Sequence, residues 1–214
     1  MLRWLKTKGL ESPLAQLILS CLFYTREARS KLQKKQFERL WQAAWLREHY
    51  AEKDNLHGIT EHYHEFDRHS ADFLLYFLFI PIGTIRLILN NQEVGLPALR
   101  DFEVAEDWNG KKVLEITLLS VRPKFQMRTH LTSLLLMRQF YHYAKQHGFP
   151  YAVVAADRRL FSMLKRIFIV KQLGEGKVYE GSLTIPACID LAFLEREMPK
   201  RNLKIYQFFT KGLP

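Results

Sequence analysis

Cysteine is scarce in this chain. Cys21 and Cys188 are the only two in 214 residues and lie far apart. Their spacing matches no zinc or redox motif and excludes a disulfide scaffold. Two reduced thiols in a cytosolic protein are the expected state. Long apolar runs are missing too. Leu14 to Tyr24 is too short for a bilayer and contains Gln16, while Phe73 to Leu89 is interrupted by Pro81 and Gly83 and carries Arg86. Both read as parts of a folded core rather than membrane spans. No secretory signal, internal repeat or low-complexity segment is evident. There is no glycine-rich nucleotide fingerprint, no Ser-His-Asp or Cys-His signature, and no helix-turn-helix, zinc-finger or RNA-recognition motif. Acidic residues are the last scarcity. Lys and Arg number 32 against 22 Asp and Glu, a formal charge of +10. Such a field attracts anionic partners, whether nucleic acid, acidic membrane or acidic protein, without choosing among them.

What is present fits one α/β domain. Hydrophobic residues make up 48% and charged residues 25%, an ordinary globular mix. A chain of this length can bury about 70% of its unfolded surface. The pattern predicts helices over Pro13 to Tyr24 and Glu27 to Glu52. In the second, Phe37, Leu40, Trp41, Ala44 and Trp45 recur at spacings of three and four, which marks one apolar face. Arg26, Arg29, Lys31, Lys34, Lys35 and Arg39 form a basic counterpart, either a solvated face or a landing site for an acidic partner. Lys53 to Ser70 reads as a polar, His-rich loop. Strands are expected at Phe73 to Phe77, Ile82 to Leu89, Lys112 to Val121, Tyr151 to Ala156, Ile169 to Leu173 and Ser182 to Ile189, with Pro186 suggesting an edge or bulge. The apolar connection Leu78-Phe79-Ile80 is odd, because turns are usually polar. Either the strand boundaries differ, or an apolar edge faces a partner. Asn90 to Asn109 reads as a loop. Helices are expected at Thr129 to His147, capped by Gly148, at Arg159 to Ile167, and from Leu191 into a loosely held basic end. Strand–helix–strand order implies a mixed sheet flanked by helices.

Chemistry concentrates in Glu115-Ile-Thr-Leu-Leu-Ser-Val121-Arg-Pro123-Lys-Phe-Gln126-Met-Arg-Thr-His-Leu-Thr-Ser-Leu134-Leu135. A strand ends at Val121, and Pro123 has no N–H to continue a ladder. A basic loop then opens a helix, whose N-terminus offers free N–H groups and partial positive charge. Arg122, Lys124 and Arg128 add full charges, which makes this a candidate phosphate site.

The stretch resembles the acyl-coenzyme A-binding segment of the GNAT acyltransferase superfamily, with Val121, Pro123, Gln126, Leu134 and Leu135 at matching positions. Thr129 and Leu131 replace the two glycines of that pattern. Glu65-Phe66-Asp67, Phe73-Leu-Leu, Gly83-Thr-Ile-Arg86-Leu87, Phe102, Glu115-x-Thr117, Met163-Leu-Lys-Arg166 and Leu173-Gly174 are similar to the acyl-homoserine-lactone synthases and N-acyl amino acid synthases. The resemblance spans roughly Phe37 to Leu191. It implies a GNAT-like fold with a splayed central sheet over 37–214 and a helical extension over 1–36. It also implies a fatty acyl donor carried as phosphopantetheine thioester on acyl carrier protein or CoA, a small-molecule amine acceptor, and no permanently bound cofactor. Lactone synthases carry Arg where this chain has Leu118 and an acidic residue where it has His64. Those positions belong to the S-adenosylmethionine site, so a free amino acid or another primary amine is the favoured acceptor. Lactone synthesis, nucleic-acid binding and non-catalytic binding of a lipid or carrier protein stay open as alternatives, as does peripheral membrane contact.

The resemblance assigns roles. Glu115 would be the base or orient the amine, with an ion pair to Arg86 as its alternative. A base is needed because a protonated amine is not nucleophilic. Backbone N–H groups at Leu119, Ser120 and Val121 would meet the oxyanion. Arg122, Lys124, Gln126, Arg128, Thr129 and His130 would hold the phosphopantetheine phosphate. Glu65, Asp67, Arg86 and Phe102 would surround the amine, with bracing of the loop as the alternative for Glu65 and Asp67 and a core position as the alternative for Phe102. From their placement alone, Phe140, Val153 and Ile167 would line an acyl tunnel. The leaving thiolate has no assigned proton donor, since the matching position is Leu164. His57, His62, His64 and His69 lack a third ligand at recognisable spacing, so no metal site is expected.

Overall fold

In a computed structural model of the chain, the structure describes residues 22–90, 93, 95–104, 108, 110–126, 131–179 and 181–211. Cys21 and most of the first expected helix lie outside them. Eight strands form one sheet: β1 (Phe23–Glu27), β2 (Ser70–Phe77), β3 (Ile80–Leu89), β4 (Val113–Val121), β5 (Tyr151–Asp157), β6 (Val170–Gln172), β7 (Lys177–Tyr179) and β8 (Ser182–Asp190). Their order is β1-β2-β3-β4-β5-β8-β6, with β7 also on β8. Among the described residues only β4 and β5 pair in parallel. The helix between them, α4 (Leu131–Gln146), packs Leu134, Leu136, Met137 and Phe140 into the core on one sheet face. On the other face lies α1 (Lys31–Arg47), with α2 (Leu56–His64) beside it. The short α3 is Pro97–Arg100, α5 is Arg158–Ile167, and α6 is Leu191–Thr210.

The helix expected over Glu27 to Glu52 is shorter, and Phe23 to Glu27 is an edge strand instead. Ser30 causes the switch. Its hydroxyl accepts from the Gln33 N–H (3.2 Å) and the Gln33 side chain accepts from the Ser30 N–H (3.0 Å), a reciprocal cap that starts α1 three residues after β1. Phe37, Leu40, Trp41 and Ala44 are buried, as the spacing predicts. The α1 helix runs through the expected 36/37 division. Residues 53–70 are not an irregular loop. They contain α2, which buries Thr60 and Tyr63, and a 3-10 turn at Asp67–His69. Its mostly polar composition hid the helix, because only one narrow stripe is buried.

The β2–β3 connection is the two-residue turn Leu78–Phe79, and Ile80 already belongs to β3. Pro186 lies in an interior strand rather than at an edge. It sits where the outer neighbour breaks between β6 and β7, and its carbonyl accepts from the Leu173 N–H (2.9 Å). Gly148 follows α4, and the Phe149 N–H returns to the Ala144 carbonyl (2.8 Å). As far as Thr210 the C-terminal segment is held against the core rather than loosely. Helix α6 kinks at Asn202, beyond Pro199, and then docks Ile205 and Phe209 into the core. Among the described residues no helix is long and apolar enough to cross a membrane.

Candidate active site

The central feature is a fork in the sheet. β4 continues to Val121 and β5 to Asp157, yet they pair only at Val113↔Tyr151, Leu114↔Ala152 and Glu115↔Val153. The strands therefore part directly after Glu115. A β-bulge lies on the β3 side of β4 just beyond this point. Thr84 faces Ser120 but Arg86 faces Thr117, so Leu118 and Leu119 together oppose Ile85. Leu118 takes a left-handed backbone, φ +48, which is costly for a residue with a Cβ. The buried Thr84 hydroxyl fixes this shape. It donates to the Leu118 carbonyl (2.8 Å) and lies 2.7 Å from the Ser120 hydroxyl. Gly83 allows the close approach, since a Cβ there would come within 2.8 Å of the Ser120 carbonyl.

A cavity of about 110 Å³ occupies the fork. Glu115, Thr117, Leu118 and Leu119 line it from β4, and Val154, Ala155 and Asp157 from β5. Trp45, Tyr50, Tyr63, Phe102 and Tyr179 supply aromatic walls, and Asp101 a further carboxylate. Glu115 is 2% exposed. Its Oε2 accepts from the Ala98 N–H (2.7 Å), at the start of α3. Phe102 is buried beside Tyr179, with ring centroids 5.5 Å apart. The Tyr50 hydroxyl donates to Asp157, whose other oxygen accepts from the Leu160 N–H (2.7 Å) and so caps α5. Burial, then the Asp157 carboxylate, pushes the Tyr50 phenol well above its usual range. Gly181 brings the β7–β8 turn against this wall. Its φ is +74, and a Cβ would come 2.6 Å from the His49 carbonyl.

Arg86 does not line this cavity, and its donors go elsewhere. Nε and Nη2 reach Asp72 (2.6 and 2.9 Å), Nη2 also reaches Asp67 (2.8 Å), and Nη1 reaches the Tyr63 carbonyl (2.7 Å). The alternative Glu115–Arg86 pair is thus replaced by an Arg86–Asp72–Asp67 cluster. Burial alone would lower the Arg86 pKa, but the two carboxylates more than offset it and hold the guanidinium charged. Asp67 braces Arg86, and Glu65 lies at the surface 3.8 Å from Arg100. Neither lines the fork. Arg86 acts on the site through Tyr63. It holds the Tyr63 carbonyl while the Tyr63 ring packs on Trp45 (5.6 Å) and its hydroxyl lies 3.5 Å from Thr117 Oγ1.

Ser120 and Val121 lie past the bulge. The Ser120 side chain meets Thr84, and the Val121 carbonyl accepts from Gln126 Nε2 (3.3 Å). Arg122 and Lys124 are exposed in the loop after β4, within and beside a 3-10 turn at Pro123–Phe125. Arg128, Thr129 and His130 lie outside the described residues. Phe140, Val153 and Ile167 do not share a tunnel, since Phe140 and Ile167 belong to one core cluster and Val153 to another. His57 faces Glu61 (3.3 Å), His64 faces Glu38 (3.5 Å) and His69 faces Glu93 (3.7 Å) as separate pairs. Tyr50, Tyr63, Asp101, Asp157 and Tyr179 went unnoticed in the sequence. Only Asp157 carried a signal, as an acidic residue between a strand and a helix.

A mixed sheet that forks beside a bulge, with a buried glutamate in the fork, defines an acyltransferase of GNAT-like fold. Residues 36–190 match the family model described as N-acyl amino acid synthase FeeM. That is more than half of the chain, and the protein belongs to this family. Among solved structures, the chain is similar to FeeM, an N-acyl amino acid synthase from uncultured soil microbes, at 15% identity and TM-score 0.68, covering 84% of this chain and 96% of that one. It also resembles the acyl-homoserine-lactone synthase LasI, at 14% identity and TM-score 0.59, covering 79% and 90%. A CoA-dependent acyl-homoserine-lactone synthase, BjaI, aligns at 13% identity and TM-score 0.51, covering 89% and 90%. No curated protein matches the chain.

Proposed function

We propose that the protein moves a fatty acyl group from the phosphopantetheine thioester of acyl carrier protein, or from acyl-CoA, to the amine of an amino acid or a similar small molecule. The observation that carries this reading is the buried Glu115 at the point where β4 and β5 part. The thioester carbonyl would enter the fork beside Leu118 and Leu119, where β4 has left its β5 partner. The amine nitrogen attacks the carbonyl carbon and the carbon–sulfur bond breaks. Glu115, directly or through water, accepts the proton the amine must lose, and the thiol leaves with a proton. Backbone N–H groups at the bulge face the oxygen as its charge develops. Arg122, Lys124 and Gln126 hold the donor phosphate at the end of β4, and the aromatic walls take the body of the acceptor. With a carrier-protein donor the enzyme would work in the bacterial cytoplasm.

The test is thiol release from acyl carrier protein and acyl-CoA thioesters with a panel of amino acids and simple amines. Amine-dependent release that collapses in Glu115→Gln is expected. If no amine accelerates release from either donor, the reading fails.

A further inference from the structure

The β2–β3 turn is built against ordinary turn chemistry. Two-residue hairpin turns favour Asn-Gly or Gly, because the backbone must reach positive φ. Here the turn is Leu78–Phe79, and Leu78 sits at φ +54. Phe79 is 88% exposed, Ile80 49% and Leu78 42%. The fold accepts both backbone strain and three adjacent exposed apolar side chains at the tip of a hairpin that projects from one end of the sheet.

The surroundings of this tip are basic. On one side the Leu78 N–H donates to the Leu22 carbonyl (2.7 Å), which leads into β1. There Tyr24, exposed and stacked on Tyr76 (4.9 Å), precedes the exposed Arg26. On the other side the Arg122 N–H donates to the Ile82 carbonyl (2.8 Å), and Phe125 packs against Phe77 (5.5 Å). The loop carrying exposed Arg122 and Lys124 therefore leaves the sheet at the same end as the tip. Residues 22–26, 77–83 and 121–126 contain three cations and no Asp or Glu.

We infer that this hairpin tip is a membrane anchor: Leu78, Phe79 and Ile80 enter the interface of an anionic lipid bilayer while the positive field of Arg26, Arg122 and Lys124 draws its phosphate headgroups. A convex tip of this shape suits a fluid apolar interior, whereas a folded partner would have to offer a matching socket. Apolar insertion joined to lysine and arginine at headgroup level is the physical signature of interfacial binding, and tyrosine favours the same depth. Contact there would hold the donor-phosphate loop beside the lipid, where an apolar product can leave.

The experiment is co-sedimentation of the full chain with vesicles of phosphatidylcholine mixed with phosphatidylglycerol, and with phosphatidylcholine alone. Binding to the mixed vesicles, weakened by salt, is expected. Phe79→Asp should reduce it about tenfold or more, the scale set by burying one aromatic side chain. It should leave amine-dependent thiol release without vesicles unchanged. Leu78→Gly is the second variant. It should raise the melting temperature, because glycine removes the strain at positive φ, and still weaken vesicle binding. A purely structural role for the turn would not separate those two readouts. The inference is overturned if the wild type ignores the mixed vesicles or if Phe79→Asp binds them equally. It is also overturned if Phe79→Asp loses acyl carrier protein but keeps vesicles, since the tip would then serve a protein partner.

Discussion

At the residue scale the site depends on two buried carboxylates in different settings. Glu115 accepts from the Ala98 N–H and lines the fork. Asp72 receives two guanidinium bonds from Arg86 within the core. Glu115→Gln keeps an oxygen for the Ala98 N–H but cannot take a proton. It should lower kcat by about 10² to 10⁴ with a melting temperature close to wild type. Steady-state kinetics beside a thermal melt checks this, and an unchanged kcat removes Glu115 as the base. Asp72→Ala should do the reverse. It takes the more buried of two carboxylates from the Arg86 guanidinium and leaves Asp67, a loss of up to about 3–5 kcal/mol that denaturant unfolding should show. Asp72 is invisible in the sequence because it falls between the expected loop at 53–70 and the expected strand at 73–77, and only the register that sets it opposite Arg86 shows its purpose.

At the element scale the bulge in β4 does the shaping. Thr84→Val keeps the volume but leaves the Leu118 carbonyl and Ser120 hydroxyl without their buried partner. A loss of about 1–3 kcal/mol is expected, with a fall in kcat as the fork relaxes. Retained kcat in a destabilised Thr84→Val would separate the bulge from catalysis. Strands β3, β4 and β5 and helices α4 and α5 were legible because apolar periodicity and Gly148 mark them within a residue or two. Strand β1 and helix α2 were not. The first merges into the basic run before α1 until Ser30 is seen as a cap, and the second buries only Thr60 and Tyr63. The fork itself had no local signal, since pairing with β5 is a long-range property. The Glu115 position was legible only through resemblance, and the Asp67–Arg86 contact had no local signal, since the two residues lie nineteen apart in sequence. Helix α6 was legible in its first turns but not in its docking, which depends on His142 of α4 meeting the Phe209 carbonyl (2.7 Å). Burial chiefly, with Arg138 adding, lowers the His142 pKa below 6.5. A neutral imidazole in the folded state and an easier proton in the unfolded state mean that stability is complete above the unfolded value. It then declines as pH falls through 6.5 towards the folded value. His142→Gln, which can still donate to Phe209, should flatten that decline. Thermal melts between about pH 8 and about pH 5 check it, and an equal slope in wild type and variant refutes it.

On the scale of the whole molecule the question is what the +10 charge does. Part of it has local work, since Arg86 is consumed inside the core. The exposed Lys31, Lys34, Lys35 and Arg39 of α1 do not take part in the fork. If they guide an acidic carrier protein, the benefit depends on whether the acyl group arrives on that protein. An acyl-pantetheine fragment has the same thioester but no acidic surface. Raising salt from about 50 mM to about 500 mM shortens the screening length from roughly 14 Å to roughly 4 Å. Long-range attraction to the carrier protein should then fade, and its KM should rise about tenfold. The KM of the fragment should hardly move. Lys34→Glu with Lys35→Glu should raise the carrier-protein KM at low salt and leave the fragment's kcat unchanged, because both side chains are exposed and neither lines the fork. Vesicle binding through the Phe79 tip should survive the same double substitution, since its cations are on β1 and after β4. Equal salt slopes for carrier protein and fragment would show that the α1 face is only solvated, and that the excess charge is not used for carrier-protein capture.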